Sequence, residues 1–178
     1  VLGQLYGVSK YADYPHAKIK SIKIKHAKEL PGVRAVLTHS DIAGEKSFGA
    51  ITTNQMVLCT DTVRFMGDVV AIVAAESPEI AEQAVSLIDV EYEELPIIGD
   101  PEQSLDKESP LVYENGNLCF HHKVRKGDVE KGFELSDIVV EREYSTQRIE
   151  HSYLEPEAVL AEPGENGRPR HGATIRSG

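Results

Sequence analysis

Three side chains that could bind a metal ion or move a proton recur at alternate positions just after residue 150. His151, Tyr153 and Glu155 fall on one face if residues 150–156 are extended, because successive side chains of a strand point to opposite faces. A histidine and a carboxylate that converge on one face can hold a metal or shuttle a proton. No third ligand is evident, so the sequence predicts no metal site, and an ordinary structural contact remains the alternative.

Other groups with chemical potential give weaker signals. His121 and His122 point to opposite faces of a predicted strand and cannot chelate one ion together; His122 shares its face with Phe120 and is predicted to be a core or interface residue. Glu91 and Glu93 share the polar face of a strand whose other face is apolar, which is typical of solvated acids. No serine or cysteine lies in a recognisable nucleophile motif. We therefore expect no catalytic residue in this chain.

A strand, a helix and a second strand follow one another over residues 69–95, in the order of a βαβ-like unit. Such units bind nucleotides through a glycine-rich turn whose backbone N–H groups reach the phosphates. Here the turn is Ala75 to Pro78, in which Glu76 is negative and Pro78 lacks an N–H donor. The chain has no G-x-G-x-x-G and no P-loop motif. The unit is predicted to be scaffold that binds neither NAD nor ATP.

The composition limits the classes of partner. The chain has 178 residues, of which 40% are hydrophobic, and a net charge of -10. This charge argues against a nucleic-acid partner, whose phosphates need a basic face. No apolar run approaches the roughly 18 residues that cross a bilayer, so no membrane partner is expected. Cys59 and Cys119 are far apart and show no paired-ligand spacing, which favours reduced thiols in a cytoplasmic protein.

The hydrophobic pattern predicts an α+β domain over residues 1 to about 100. The segment 69–76 is apolar on both faces and is expected to be central in a mixed sheet, with a helix over 77–88 packed on it. Residues 99–117 are rich in proline, glycine and acids and are predicted to be a linker. The other predicted elements are strands at 2–8, 17–25 (an edge strand), 33–38, 89–95, 117–126, 137–148 and 157–163, a helical turn at 26–32, a turn capped by Ser40 at 39–44, a loop at 44–56, and one or two helical turns at 128–137.

An ordered set of motifs supports a family resemblance. It comprises "YPHAKI" (14–19), "LPGVRAVLTHSDI" (30–42), "VRFMGDVVAIVAAES" (63–77), "AVSLIDVEYEELP" (84–96), "GDVEKGFELSDIVVEREY" (127–144) and "EHSYLEPEAVLA" (150–161). In this order the chain resembles the large, molybdopterin-binding subunit of the xanthine dehydrogenase and aldehyde oxidase family. The resemblance implies an α/β hammerhead domain at 1–110 and the start of a molybdopterin-binding domain, incomplete, at 111–162. Residues 163–178 depart from the family pattern and are expected to be a polar tail, non-native or disordered.

The resemblance also implies a function. Such molybdenum hydroxylases are oxidoreductases that hydroxylate a purine, another N-heterocycle or an aldehyde with oxygen from water, and pass electrons through iron–sulfur clusters towards FAD. Molybdenum–molybdopterin would be bound by parts of the subunit that this chain lacks, and the iron–sulfur and flavin groups by partner domains or subunits. The chain is thus expected to be an inactive fragment with no cofactor of its own. His151 and Glu155 would lie near the cofactor without binding it.

Three alternatives remain open from the sequence. The chain is a non-catalytic module that docks subunits through the hammerhead surface, or a free-standing metal-binding domain on the face of His151 and Glu155. The third concerns assembly: the predicted strands 117–126 and 137–148 lack their sheet partners. They either pack back on the hammerhead core or, as we expect, pair with a second copy of the chain and form a homo-oligomer. The apolar side chains that need cover are Leu118, Phe120, Ile138 and Val140.

Overall fold

The computed structural model describes residues 3–49, 52–152, 159–164 and 169–170. The chain divides into two compact units, the first ending at Lys123 and the second beginning at Val124. The elements of the first unit are β1 (Tyr6–Tyr11), β2 (Ala17–Lys23), α1 (Lys25–Glu29), β3 (Val33–Thr38), β4 (Ser47–Phe48), β5 (Gln55–Met56), β6 (Thr62–Val63), β7 (Val69–Ala75), α2 (Pro78–Ser86) and β8 (Asp89–Glu94).

The strand β7 is the centre of a three-stranded sheet with the order β1-β7-β3. Both neighbours run antiparallel to it. From Ala71 onward its side chains alternate in burial: Ala71, Val73 and Ala75 are fully buried, whereas Ile72 and Ala74 are half-buried; Val70, before them, is also fully buried. The α+β class and the central position of this strand are confirmed, and every pairing that the structure describes is antiparallel rather than mixed in direction.

The helix α2 packs on the buried face of β7 and begins as the sequence predicts. The Ser77 hydroxyl accepts a hydrogen bond from the backbone N–H of Ile80 at 3.3 Å, and Pro78 occupies the first turn, where its missing N–H costs nothing. Ala81 and Ala84 are fully buried in the same apolar cluster as Val73. The helix ends at Ser86, slightly before the predicted boundary at residue 88.

The strands on either side of α2 belong to different sheets, so the βαβ-like interpretation is wrong. β8 pairs antiparallel with β2 in a second sheet of order β6-β2-β8, and not with β7. The prediction that β2 is an edge strand is also wrong, because β6 pairs with Ala17 and Lys18 at its beginning. Local alternation does not reveal such a short neighbouring strand.

Two local predictions also need correction. The turn at His39–Asp41 is capped by Thr38 rather than Ser40: the Asp41 carboxylate accepts the Thr38 N–H at 2.8 Å and its hydroxyl at 3.2 Å. The predicted loop 44–56 contains a short antiparallel pairing of β4 with β5, with residues 50 and 51 outside the described part. In the turn at His39–Asp41, the Asp41 carboxylate thus gives a partner to the Thr38 N–H, which would otherwise lack one.

The segment 99–117, predicted to be a linker, is folded instead. The Asn117 side chain connects three parts of it: its Oδ1 accepts the Val112 N–H at 2.9 Å, and its Nδ2 donates to the carbonyls of Ser104 (3.0 Å) and Pro110 (2.9 Å). The Asp100 carboxylate accepts two backbone N–H groups at the start of a 3-10 turn, Gln103–Leu105. The proline and glycine residues therefore shape a compact loop rather than a spacer.

The second unit contains a helix and a short strand pair among its described residues. α3 (Val129–Glu134) begins at Asp128, whose carboxylate accepts the Lys131 N–H at 3.0 Å, as the predicted helical turn requires. β9 (Glu162–Pro163) pairs with β10 (Pro169–Arg170), inside the segment predicted to be a polar tail; the rest of that tail lies outside the described residues apart from Gly164.

The strands predicted at 117–126 and 137–148 are not formed in the described structure. A strand requires a partner for its backbone hydrogen bonds, and the described residues supply none for these segments. Their apolar side chains are exposed, among them Phe120 at 53%, Ile138 at 81% and Val140 at 71%. In the part of the chain that is described, no helix has the length and apolar character needed to cross a bilayer.

Candidate functional site

The face predicted to carry His151, Tyr153 and Glu155 is only partly described. His151 is exposed, and its backbone N–H donates to the Glu150 carboxylate at 3.0 Å. Tyr153 and Glu155 lie outside the described residues, so their convergence with His151 stays a prediction. Within the described ranges, no group of three histidine, cysteine, aspartate or glutamate side chains could hold a metal ion.

His122 is exposed, so its predicted place in a core is wrong, whereas its place in an interface stays a prediction. Its ring contacts Phe120 edge-on, with 4.8 Å between the ring centroids. The core prediction failed because it assumed that 117–126 is a strand with a covered face, and the described structure has no such strand. The pair His122–Phe120 is an exposed local contact.

Two of the four acidic residues of β8 form ion pairs with lysines of β2. Lys20 contacts the Glu93 carboxylate, Lys23 contacts Asp89 at 2.9 Å, and the Ser21 hydroxyl donates to Glu91 at 3.1 Å. The hydrogen bond and the charge of Lys20 lower the pKa of Glu93. A carboxyl group with a lowered pKa is ionised at neutral pH and is a poor general acid. These residues form a solvated, charge-paired sheet surface.

Cys59 is chemically quiet. The residue is buried, and burial, followed by the nearby carboxylate of Asp68, raises the pKa of its thiol to about 12. The thiolate is the reactive form of cysteine, so this side chain is not a nucleophile at neutral pH. Cys59 packs instead in the apolar cluster that includes Ala17, Val63 and Val70.

The turn between β7 and α2 has few donors left for a phosphate. The Glu76 carboxylate pairs with the Arg34 guanidinium, and the Glu76 backbone N–H already donates to the Gly32 carbonyl at 2.9 Å. The Ser77 hydroxyl accepts the Ile80 N–H of the helix start. The first donors of the helix are therefore used or missing, and a carboxylate stands where an anion would approach.

A feature that the sequence did not reveal is a clamp centred on Arg64, which follows β6 directly. Its Nε donates to the Val112 carbonyl at 3.0 Å and its Nη1 to the Thr62 carbonyl at 3.3 Å, and its guanidinium lies over the Tyr113 ring at 4.8 Å from the centroid. The Arg64 backbone N–H donates to the Asp68 carboxylate at 2.6 Å, which fixes the turn that carries Arg64. This clamp attaches the folded 99–117 loop to the sheet domain across 48 positions of sequence.

Comparison with known proteins identifies both parts of the chain. Residues 1–96 match the family model described as "Aldehyde oxidase and xanthine dehydrogenase, a/b hammerhead domain". Residues 112–172 match the model of a molybdopterin cofactor-binding domain. The first match covers more than half of the chain. The chain therefore belongs to the aldehyde oxidase and xanthine dehydrogenase family, and its first unit has the α/β hammerhead fold.

Two curated relatives match most of the chain but are much longer. The chain is 44% identical over 165 residues to a probable xanthine dehydrogenase subunit of Bacillus subtilis, a match that covers 93% of this chain and 22% of the relative. It is 40% identical over 147 residues to the nicotinate dehydrogenase large molybdopterin subunit of Eubacterium barkeri, covering 83% of this chain and 35% of that protein. The chain thus spans between a fifth and about a third of their length.

Solved structures have the same fold. The aldehyde oxidoreductase of Desulfovibrio gigas superposes with a TM-score of 0.85 at 27% identity, covering 95% of this chain and 20% of that one. The quinoline 2-oxidoreductase of Pseudomonas putida 86 gives a TM-score of 0.81 at 30% identity, covering 95% and 23% respectively. The Arg64 clamp connects the two matched segments. Arg64 lies in the segment that matches the hammerhead domain, and Val112, to which it donates, is the first residue of the match to the cofactor-binding domain.

Proposed function

We propose that this chain is the N-terminal portion of the large subunit of a molybdenum hydroxylase. The complete enzyme would hydroxylate a purine, another N-heterocycle or an aldehyde with oxygen derived from water. The observation that carries the proposal is the succession of a hammerhead match and a cofactor-domain match in one chain, at 1–96 and 112–172. The substrate classes are supported by relatives and neighbours named for xanthine, nicotinate, quinoline and aldehyde.

In this proposal the chain itself is scaffold and has no activity alone. Among the described residues no group of three histidine, cysteine, aspartate or glutamate side chains could hold a metal ion. The proposal is that the cofactor, molybdenum–molybdopterin, is bound by parts of the subunit outside this chain. Within the first unit, the Arg64 clamp holds Val112, the residue at which the match to the cofactor-binding domain begins.

The proposal extends to two residues of the predicted site. His151 and Glu155 would lie beside the cofactor without binding it, where they would orient the groups that do. The support is their position inside the segment that matches the cofactor-binding domain.

The proposed partners are iron–sulfur and flavin domains or subunits that receive the electrons. Two relatives are named as subunits of dehydrogenases, one of them as subunit gamma of a dehydrogenase complex in Paenarthrobacter nicotinovorans. A cytoplasmic location is proposed from the two cysteines, which form no disulfide in the described structure.

The experiment that tests the proposal is to read the gene downstream of this segment. We expect the open reading frame to continue for several times the present length, with a glycine-phenylalanine-rich loop and a late glutamate that the family resemblance implies. A frame that stops near residue 178 would contradict the proposal. It would favour the alternative of a module that docks subunits through the hammerhead surface.

A further inference from the structure

One face of the sheet β1-β7-β3 is only partly covered by its own domain from Ile72 onward, whereas Val70, earlier on the same strand, is fully buried in the second apolar cluster. Register places Ser9 and Leu37 on either side of Ile72, and Gly7 and Ala35 on either side of Ala74. Paired residues of neighbouring strands point to the same side of a sheet. These side chains therefore share one face, which we name the open face; its members are Gly7, Ser9, Ala35, Leu37, Ile72 and Ala74.

The two faces of the sheet differ in burial. The opposite face carries Val73 and Val36, which are at most 1% exposed under α1 and α2. No member of the open face belongs to either buried apolar cluster of the domain. Leu37 is 44% exposed, and a Cβ added at Gly7 would meet nothing closer than the Val73 carbonyl oxygen at 4.0 Å. The open face is thus accessible, although it lies directly behind the central strand.

The composition of this face is that of an interior surface. It contains no charged side chain and one polar one, Ser9, and four of its six residues are Gly, Ala or Ser. Antiparallel sheets that face water usually alternate apolar and polar side chains along each strand. β7 does not alternate in this way, since all seven of its residues are apolar.

We propose that the open face is an interface, covered in the complete large subunit by an apolar segment of the same subunit outside this chain. The inference rests on the proposed function and adds to it the place where the remaining polypeptide contacts the hammerhead. The length of polypeptide agrees: the chain spans 22% of the Bacillus subtilis relative and 20% of the Desulfovibrio gigas enzyme, so about four-fifths of each lies outside the matched part.

The area of the open face favours this occupant over a second copy of the chain. Three strands spaced about 4.8 Å apart, and roughly four residues along each strand, present on the order of 200 Å². A stable association of separate chains buries about 800 Å² on each partner. A covering segment of the same polypeptide is tethered, so it avoids most of the entropy cost of bringing two molecules together.

The test compares hydroxyl-radical labelling of the purified 178-residue chain with that of the complete subunit carrying the same sequence. In the isolated chain Leu37 and Ile72 should both label. In the complete subunit the exposure of Leu37 should fall from 44% to under about a tenth, which is roughly a fivefold loss of labelling. Equal labelling of Leu37 in the two proteins would overturn the inference.

The labelling of Phe120 and Ile138 distinguishes the failure of this inference from the failure of the proposed function. Both side chains are exposed in the isolated chain and lie in the segment that matches the cofactor-binding domain, so the proposed function predicts that both are covered in the complete subunit. If these two residues become protected while Leu37 does not, the open face is not an interface and the proposed function stands. Both proposals fall if all three residues label equally in the isolated chain and in the complete subunit. They also fall if the gene encodes no protein longer than this chain.

A pair of variants provides an independent readout. Leu37→Glu should leave the melting temperature of the isolated chain nearly unchanged and should lower that of the complete subunit. The matched variant Val36→Glu, at the fully buried neighbour, should unfold both proteins. A Leu37→Glu subunit as stable as the wild type would contradict the proposed interface.

Discussion

The Arg64 clamp makes a quantitative prediction about the 99–117 loop. In Arg64→Met the apolar stem is retained, but two charge-assisted hydrogen bonds, to the Val112 and Thr62 carbonyls, and the contact with the Tyr113 ring are lost. A hydrogen bond from a charged donor contributes about 1.5–3 kcal/mol when partly buried, and a cation–π contact at an exposed site about 0.5–1 kcal/mol. The Thr62 bond is long, so we expect the loop to lose about 2–3 kcal/mol of local stability.

Native-state hydrogen exchange measures this loss directly. The reporter amides are Val112, which donates to the Asn117 side chain, and Gly116, which donates to the Tyr113 carbonyl at 2.9 Å. A loss of about 2–3 kcal/mol corresponds to exchange roughly 30- to 150-fold faster. The amide of Glu76, which donates to the Gly32 carbonyl, should exchange at its wild-type rate because the sheet domain stays folded.

The matched control is Arg34→Met, which removes the other arginine that pairs within the first unit. Arg34 is 62% exposed and pairs with Glu76, so its loss should cost under about 1 kcal/mol and leave Val112 and Gly116 unchanged. The reasoning would be refuted if Arg64→Met left the exchange of both reporter amides within about twofold of wild type. The loop would then be held by its own Asn117 bonds.

Three further predictions concern the core, the thiols and the pH dependence. Val73→Ala removes two methyl groups from a fully buried site, so it should cost about 2–3 kcal/mol and lower the melting temperature by roughly 5–15 °C. Ile72→Ala on the open face of the same strand should cost clearly less, and equal losses in thermal denaturation would contradict the assigned faces. At pH 8 a thiol reagent should modify exposed Cys119 in the native chain and reach buried Cys59 only in denaturant, since burial raises the pKa of Cys59 to about 12; rapid native labelling of Cys59 by mass spectrometry would oppose this. Lys20 holds the folded-state pKa of Glu93 below its ordinary value of 4.5, so the ionised carboxylate stabilises the fold above that pH, and this stabilisation is lost as the pH falls through the lowered pKa. Glu93→Gln should therefore make the melting temperature depend less on pH in this acidic range. An unchanged dependence would exclude the Lys20–Glu93 pair as a contributor to stability.

The first unit could be predicted where a local pattern determines the structure. The apolar run 69–76 and the serine–proline start of α2 identified the central strand and the helix on it. The pairing of β8 with β2 could not be predicted, because strand order depends on contacts between residues about 70 positions apart. The same limitation hid the clamp: Arg64 and Val112 show no mutual signal in sequence, whereas the prolines and glycines of 99–117 gave a misleading signal for a linker.

The second part of the chain shows where a sequence pattern is insufficient. Residues 137–148 have the β-branched composition of a strand, yet the described structure contains no ladder for them, because a strand exists only with its partner. For the site, residue types alone predicted the solvated acidic face of β8, but not the lysine partners of Asp89 and Glu93, which lie on β2. The convergence of Tyr153 and Glu155 with His151 stays a prediction, because these two residues lie outside the described part of the chain.

Isolation of the native protein that carries this sequence, followed by measurement of its mass and its molybdenum content, tests the central claim most directly. The account predicts a polypeptide several times larger than 19.6 kDa that contains molybdenum and a pterin in equal amounts, about one of each per chain. A native protein of this larger size without molybdenum, or one that ends near residue 178, would contradict the assignment to a molybdenum hydroxylase large subunit.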